Sequence, residues 1–312
     1  MVDNYSLIRD LINEPRRLAL LIRDEPAVFY QVCAALDALG DTDLALDVYA
    51  DAPQAAGPGG KYLLIYGVLQ VLFVQQDAAT DLAKALGVKF GEDGTLREVR
   101  TIRNLSVGHP TDHTFKKQRS FNFIERGTMT KTGFTLRTVF HDGTPTRVQG
   151  VDIPGIIARQ REAICRLLGT VAAELQERER KHRMTFQGQR LQDSLPGVFD
   201  YYFEKMYDAV RQNNGPFGAG HVQLVQDAVG ELERLVRERD PAGGWDSFSY
   251  EFEQIRYPLA ELVIYFAQGD SGRLRAQDAN IFISFAQQRM HALRRLAAEV
   301  DVDYKRDLTE AS

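Results

Sequence analysis

The run YLLIYGVLQVLFV, residues 62–74, constrains this chain more than any other stretch. It falls short of the ~20 apolar residues that cross a bilayer and contains Gln70, so other parts of the protein must cover it. Tyr62, Tyr66, Leu69, Leu72 and Phe73 recur at helical spacing, and Gly87 offers a stop. The pattern predicts a long core helix over about 61–86. A helix that apolar needs further helices around it, and no membrane is expected as a partner.

At 312 residues the chain exceeds one domain of ~100 to 200 residues. Its 44% hydrophobic and 26% charged residues are the balance of a globular chain rather than a disordered one. The net charge of -5 provides no global field for nucleic acid, so any such partner must use a local basic patch. Cys33 and Cys165 stand far apart among apolar neighbours and read as buried free thiols of a reducing compartment. The opening MVDNYSLIRDLINEPRR carries acids early, unlike a secretory leader, and a cytoplasmic location is expected.

Upstream of the apolar run, residues 4–50 read as two or three short helices bounded by Pro15 and Pro26 and broken at Gly40-Asp41. Residues 51–60, DAPQAAGPGG, read as a linker. Downstream, after a KFGEDG turn, a second helix is predicted from about Thr95 to Val107. The period then changes: SFNFIER, GFTLRTVF and TRVQGVDI are extended runs, and Asp142-Gly143 signals a hairpin between the last two. A β-hairpin or three-stranded meander is expected at about 120–152, beside the end of the second helix. Helix returns from about Pro154 to His182, where the charged run ELQERERKHR reads as a solvated face. From Leu195 onward the pattern is helical, interrupted by NNGPFGAG and DPAGG. One of these helices carries Phe248, Phe252, Ile255, Leu259, Leu262 and Phe266, with Pro258 expected to kink it. The last presents Ile281, Phe285, Leu293, Leu296 and Val300 on one side. Aromatic stripes at this spacing are core, so no cofactor is assigned.

The second predicted helix ends IRNLSVGHPTDH, residues 102–113. At ~100° per residue, Leu96, Val99, Ser106 and Val107 share an arc, and Arg103 falls inside it. A charge there needs a partner, a phosphate or a subunit interface, because burying it alone costs several kcal/mol, roughly. A structural reading pairs Arg103 with Asp77 or Asp81 on the preceding helix and makes His109 a C-cap. His109 and His113 stand four apart with Asp112 between, but Pro110 disrupts the helix that would align them and no third ligand is apparent, so no metal is expected. His141, His182, His221 and His291 have no triad-like setting, and no phosphate loop, dinucleotide fingerprint or nucleophile elbow is present.

A long tyrosine-containing helix, a turn and a helix ending IRNLSVGH together resemble the HEPN superfamily, whose hallmark is an arginine, a polar residue and a histidine four to six positions after the arginine. The matching residues are Arg103, Asn104 and His109, and the resemblance covers roughly residues 61–110, plus the helix after the β insert if that helix completes the bundle. It implies metal-independent RNA cleavage, without cofactor, by attack of the ribose 2'-hydroxyl on its own phosphodiester. Arg103 would neutralise the transition-state phosphorane, His109 would move the proton, and Asn104 would orient either group or a phosphate oxygen. Cα atoms six positions apart on a helix are separated by ~9 Å, a span that two chains close more readily than one. The family pattern accordingly implies a homodimer through the motif helix. Lys116, Lys117 and Arg119, just beyond the motif, would supply local RNA-binding charge.

The expected architecture is mainly α: a HEPN-like helical domain over 1–185 with a small β-hairpin or meander insert, then a C-terminal helical domain over 186–312. The expected activity is that of an endoribonuclease of a toxin or antiviral defence system, with RNA as substrate and an antitoxin or defence-system protein as partner. The alternative is a non-catalytic nucleotide-binding or protein-interaction module, or a scaffold whose work lies in the C-terminal half.

Overall fold

The computed structural model describes residues 2–13, 26–51, 53, 57–115, 118–240 and 245–310. Among these, residues 2–13 and 26–176 form one compact unit and residues 177–310 another. The first contains α1 (Val2–Asn13), α2 (Pro26–Asp51), α3 (Gly57–Ala85), α4 (Gly94–Arg103) and a π turn (Asn104–Gly108). Four strands follow, β1 (His113–Phe115), β2 (Gln118–Ile124), β3 (Gly133–Phe140) and β4 (Arg147–Asp152), and then α5 (Ile153–Thr185), whose last residues belong to the second unit. The protein is mainly α with a small antiparallel sheet, as its periodicity predicts.

Among the described residues α3 is the one helix long and apolar enough to cross a membrane, and here its Ile65, Val68, Leu69 and Leu72 are buried within the first unit. They share one core with Leu46 and Tyr49 of α2, Val99 and Ile102 of α4, Phe134, Leu136 and Val151 of the sheet, and Ile156 of α5. Each fully buried leucine or isoleucine contributes about 1.5–3 kcal/mol. The helix stops as expected at Gly87, whose φ of 64° only glycine adopts freely. The Gly87 and Val88 N–H groups then satisfy the carbonyls of Lys84 and Ala83 at 2.9 and 2.8 Å.

Two expected interruptions are absent. α2 runs without a break through Gly40-Asp41 because Gly40 sits against Tyr5 of α1, where a Cβ would come within 3.2 Å of the tyrosine hydroxyl. The Thr42 hydroxyl meanwhile donates to the Ala38 carbonyl at 2.7 Å, keeping the turn closed. The glycine-rich end of the expected linker, from Gly57, is the first turn of α3; Pro15, residue 52 and residues 54–56 lie outside the described residues. Cys33 and Cys165 are free, and both are half-buried rather than buried.

The sheet is a meander in the order β1-β2-β3-β4, one strand more than the sequence suggests. The added strand, His113–Phe115, is three residues long and carries no alternation to recognise. Asp142-Gly143 makes the expected turn, with Gly143 at φ 82° and the Asp142 carboxylate accepting from the Thr144 N–H at 3.0 Å. A reciprocal clamp ties the sheet to α2. The Tyr49 hydroxyl donates to the Lys131 carbonyl, and the Lys131 ammonium donates to the Ala50 carbonyl at 2.8 Å.

The second unit contains α6 (Phe199–Arg211), α7 (Gly215–Arg239), α8 (Asp246–Gln268) and α9 (Ala276–Glu310). Phe199, Phe203, Met206, Phe248, Ile255 and Leu262 lie at the centre of its core. α8 runs on through Pro258 as one helix. In α9 the buried row is Ala279, Ile283, Ala286, Met290, Leu293, Ala297 and Val300, while Ile281 and Phe285, expected inside, are 65% and 37% exposed. Small alanines fit the closely packed row, and the larger residues beside it face outward.

The charged run of α5 is only partly the solvated face expected of it. Arg180 and Lys181 are exposed, but Glu179 and Arg183 are each 8% exposed and pair with one another one turn apart. Arg183 also donates to the Asp303 carbonyl at 2.6 Å. Removing Glu179 takes the paired carboxylate from a guanidinium that is almost wholly buried. We expect Glu179→Ala to destabilise the second unit by about 3–5 kcal/mol, read by chemical denaturation, whereas Lys181→Ala should shift the midpoint little.

Candidate functional site

α4 begins on a deliberate cap. The Asp93 carboxylate accepts the N–H groups of Thr95 and Leu96 at 2.8 and 3.3 Å, satisfying donors that the first turn leaves open. Arg166 of α5 bonds the same carboxylate at 2.9 Å. That bond, helped by the two amides, holds the Asp93 carboxyl below the usual carboxylate range. From this start the helix turns Val99 and Ile102 into the core and carries Arg100 and Arg103 to the flank where α3 passes.

Both guanidinium groups lie over the Phe73 ring, at 4.5 Å for Arg100 and 4.2 Å for Arg103. Their polar partners differ in kind. Arg100 bonds the Asp77 carboxylate and the Gln76 amide oxygen. Arg103 bonds only neutral amides: Gln70 Oε1 accepts from Nη2 at 2.7 Å and from Nε at 3.3 Å, and Asn104 Oδ1 accepts from Nη1 at 3.0 Å. The expected ion pair of Arg103 with Asp77 or Asp81 is therefore not formed; Asp77 goes to Arg100, and Asp81 pairs with Lys84. No carboxylate among the described residues pairs with Arg103. Three of its five donors are engaged, leaving one N–H on each terminal nitrogen for a ligand.

Arg103 is half-exposed rather than part of the buried arc, which consists of Val99, Ile102 and Ser106. The 100° rule fails just beyond it. Residues Asn104–Gly108 wind as a π turn, closed by the His109 N–H donating to the Asn104 carbonyl at 2.7 Å, five residues back. The extra residue in this turn changes the phase of everything after Arg103. His109 caps the turn through its backbone, at φ -139° and ψ 55°, and its imidazole is exposed.

Gly108 has a different task from the one its sequence position suggests. It is not among the glycines with positive φ, so it does not end the helix by a left-handed step. Instead it leaves space: a Cβ there would stand 2.6 Å from Arg103 Nη1. The arginine side chain thus reaches along the turn and covers Gly108, one residue from His109. Reach by a long side chain narrows the gap that Cα spacing alone leaves open.

After His109 the chain enters the sheet, where the Pro110 carbonyl accepts the Asn122 N–H at 2.8 Å. His113 lies on β1 rather than one helical turn from His109, and Asp112 is held by Arg119 through two bonds of 2.8 and 2.7 Å. Arg119 is on β2 and already paired; Lys116 and Lys117 lie outside the described residues. Beneath the motif, the Ser106 hydroxyl and Asn122 Nδ2 are buried without a hydrogen-bond partner. Beside Arg100 a cleft of about 460 Å³ carries Asp77, Asp81, Glu92 and Asp93 against Lys84, Arg97 and Arg100, a balance that disfavours phosphate. Arg103 lies outside that lining.

Gln70 and Phe73 are the site residues that sequence reasoning missed. Gln70 had a signal, as the polar break in an otherwise apolar run. No family model, curated protein or solved structure matches this chain.

The Asp93 cap gives a pH prediction. A carboxyl whose folded pKa is depressed stabilises fully above its unfolded value, near ~3.9, and that contribution is lost as pH falls through the lower folded value. Asp93→Ala should cost about 1 kcal/mol at neutral pH. Asp93→Asn, which keeps a capping oxygen without the titrating charge, should flatten the fall in stability below about pH 4, as followed by thermal melts.

Proposed function

We propose that the protein is a homodimeric, metal-independent endoribonuclease of the HEPN kind, with Arg103 and His109 as its catalytic residues and Asn104 as the residue that positions Arg103. The observation that carries this reading is a guanidinium held in place without being neutralised, one π turn from an exposed imidazole. A structural arginine gains most from a carboxylate, and Arg100 next door has one. Arg103 keeps its full positive charge and one open N–H on each terminal nitrogen, a donor pair that suits two phosphate oxygens. In the reaction the ribose 2'-oxygen bonds to phosphorus as His109 moves a proton. The P–O5' bond breaks, leaving a 2',3'-cyclic phosphate and a 5'-hydroxyl, while Arg103 carries the charge that develops on the equatorial oxygens.

One face of α3 supports the dimer. Leu63, Tyr66 and Val74 are 76%, 38% and 37% exposed, and with Gly67 and Gln70 they form one outward stripe at helical spacing. Gln70 is the residue that holds Arg103, so packing this stripe on its two-fold copy brings two motifs into one cleft. A cytoplasmic toxin or antiviral role, restrained by a partner protein, is the biological setting we attach to this activity.

Three variants separate chemistry from folding. His109→Ala, at an exposed position, should lose ~100- to 10,000-fold in rate with the fold intact. Gly108→Ala keeps every catalytic side chain but pushes the Arg103 guanidinium from its seat, so kcat should fall while the melting temperature holds. Val74→Glu should turn a particle of twice 35.2 kDa into one of 35.2 kDa by light scattering, and activity should fall with it. The products must carry 2',3'-cyclic phosphate, activity must survive EDTA, and a 2'-deoxy substitution at the scissile site must block cleavage. Cleavage of that substrate, or full activity in His109→Ala, would reject the mechanism.

A further inference from the structure

The outer face of the sheet is not the polar surface that a sheet with one buried face ordinarily presents to water. Along β2, Ser120 and Asn122 point inward, so Arg119, Phe121 and Phe123 point outward. The register places Phe121 across from Val139, and sets Phe123, Arg137 and Val148 in one row across three strands. Phe123 is 53% exposed and Val148 58%. The Arg119 guanidinium stands 5.4 Å from the Phe121 ring centroid. Two aromatic rings and two guanidinium groups therefore share one face, with aliphatic residues between them. Both arginines hold carboxylates, Asp112 and Glu125, in surface pairs with bonds of 2.7 and 2.8 Å to Arg119 and Arg137. Exposed pairs of this kind contribute little, so a phosphate can displace either carboxylate.

We propose that this face is a stacking platform for unpaired nucleobases, on which Phe121 and Phe123 each take a base and Arg119 and Arg137 follow the phosphates. Phe121 and Phe123 are two residues apart on one strand, about 6.7 Å, roughly twice the ~3.4 Å rise between stacked bases of a duplex. Bases must be splayed to meet both rings, which selects a single strand over a duplex. The platform is also close to the motif. His109 adjoins Pro110, whose carbonyl bonds the Asn122 backbone between the two phenylalanines. The proposal takes nucleic acid as ligand from the ribonuclease reading and adds where the strand lies.

The test uses the full chain, a fluorescein-labelled single-stranded DNA 12-mer, the corresponding duplex, and an RNA of the same sequence. DNA lacks the 2'-hydroxyl, so its binding reports the platform without cleavage. Fluorescence anisotropy should show the single strand bound at least tenfold more tightly than the duplex. Phe123→Ala, at an exposed position, should weaken single-strand binding roughly 5- to 150-fold, and Phe123→Trp should retain it. Val148→Glu, which sets a carboxylate beside the phosphate-facing Arg137, should weaken it as well. If the parent binds neither strand, or if Phe123→Ala and Val148→Glu bind as the parent does, the platform is overturned and the face belongs to a protein partner; RNA cleavage, scored separately, would still stand. Weakened binding in Phe123→Ala with no cleavage of any RNA would uphold the platform and reject the ribonuclease.

Discussion

The Gln70 amide oxygen accepts two N–H bonds from Arg103, and the placement of the guanidinium depends on that contact. A hydrogen bond to a charged group is worth roughly 1.5–3 kcal/mol, and the Phe73 ring beneath the guanidinium adds about 0.5–1 kcal/mol. Together these hold a long, flexible side chain in one conformation without cancelling its charge. A carboxylate in place of the amide would hold it more firmly and leave it far less able to attract a phosphate. Arg100 makes the contrast within one helix, over the same ring, with Asp77 as its partner.

That contact needs α3 to be buried on one side and to carry the Gln70 amide on the other. The apolar run supplies the burial and, at its polar break, the amide. This much was legible in the sequence, as were the stop at Gly87, the change of period into strands and the Asp142-Gly143 turn, because each depends on a few neighbouring residues. The continuous path of α2 was not legible, since Gly40 reads as a break until Tyr5 of a different helix is seen against it. The phase of α9 was legible only in part: Leu293 and Val300 are buried as read, but near its start alanines mark the buried row while the larger Ile281 and Phe285 face outward.

In the site the limit was geometric. Arg103, Asn104 and His109 are visible as residue types, but a wheel drawn at a constant angle cannot anticipate that the turn from Asn104 to Gly108 takes in an extra residue. Gly108 follows the predicted helix end at Val107, the place of a stop glycine, whereas here it clears the path of a guanidinium. The distinction has a chemical consequence. A stop glycine can be replaced by another residue tolerant of positive φ, but a side chain at Gly108 displaces the guanidinium that lies over it.

Charge constrains how an RNA reading could work in this protein. With a net charge of -5, and with Arg119 and Arg137 already paired, release of counterions from a phosphate backbone offers little of the affinity that basic nucleic-acid-binding proteins draw on. The acidic cleft beside Arg100 works against phosphate on that side of the motif. Affinity would then rest on base stacking, which does not need a basic surface, and the uncompensated charge of Arg103 would be reserved for the one phosphate that reacts. In the proposed division of labour the sheet would bind and the turn would cleave, and a charge held by neutral amides would be stronger at the point of reaction for being isolated.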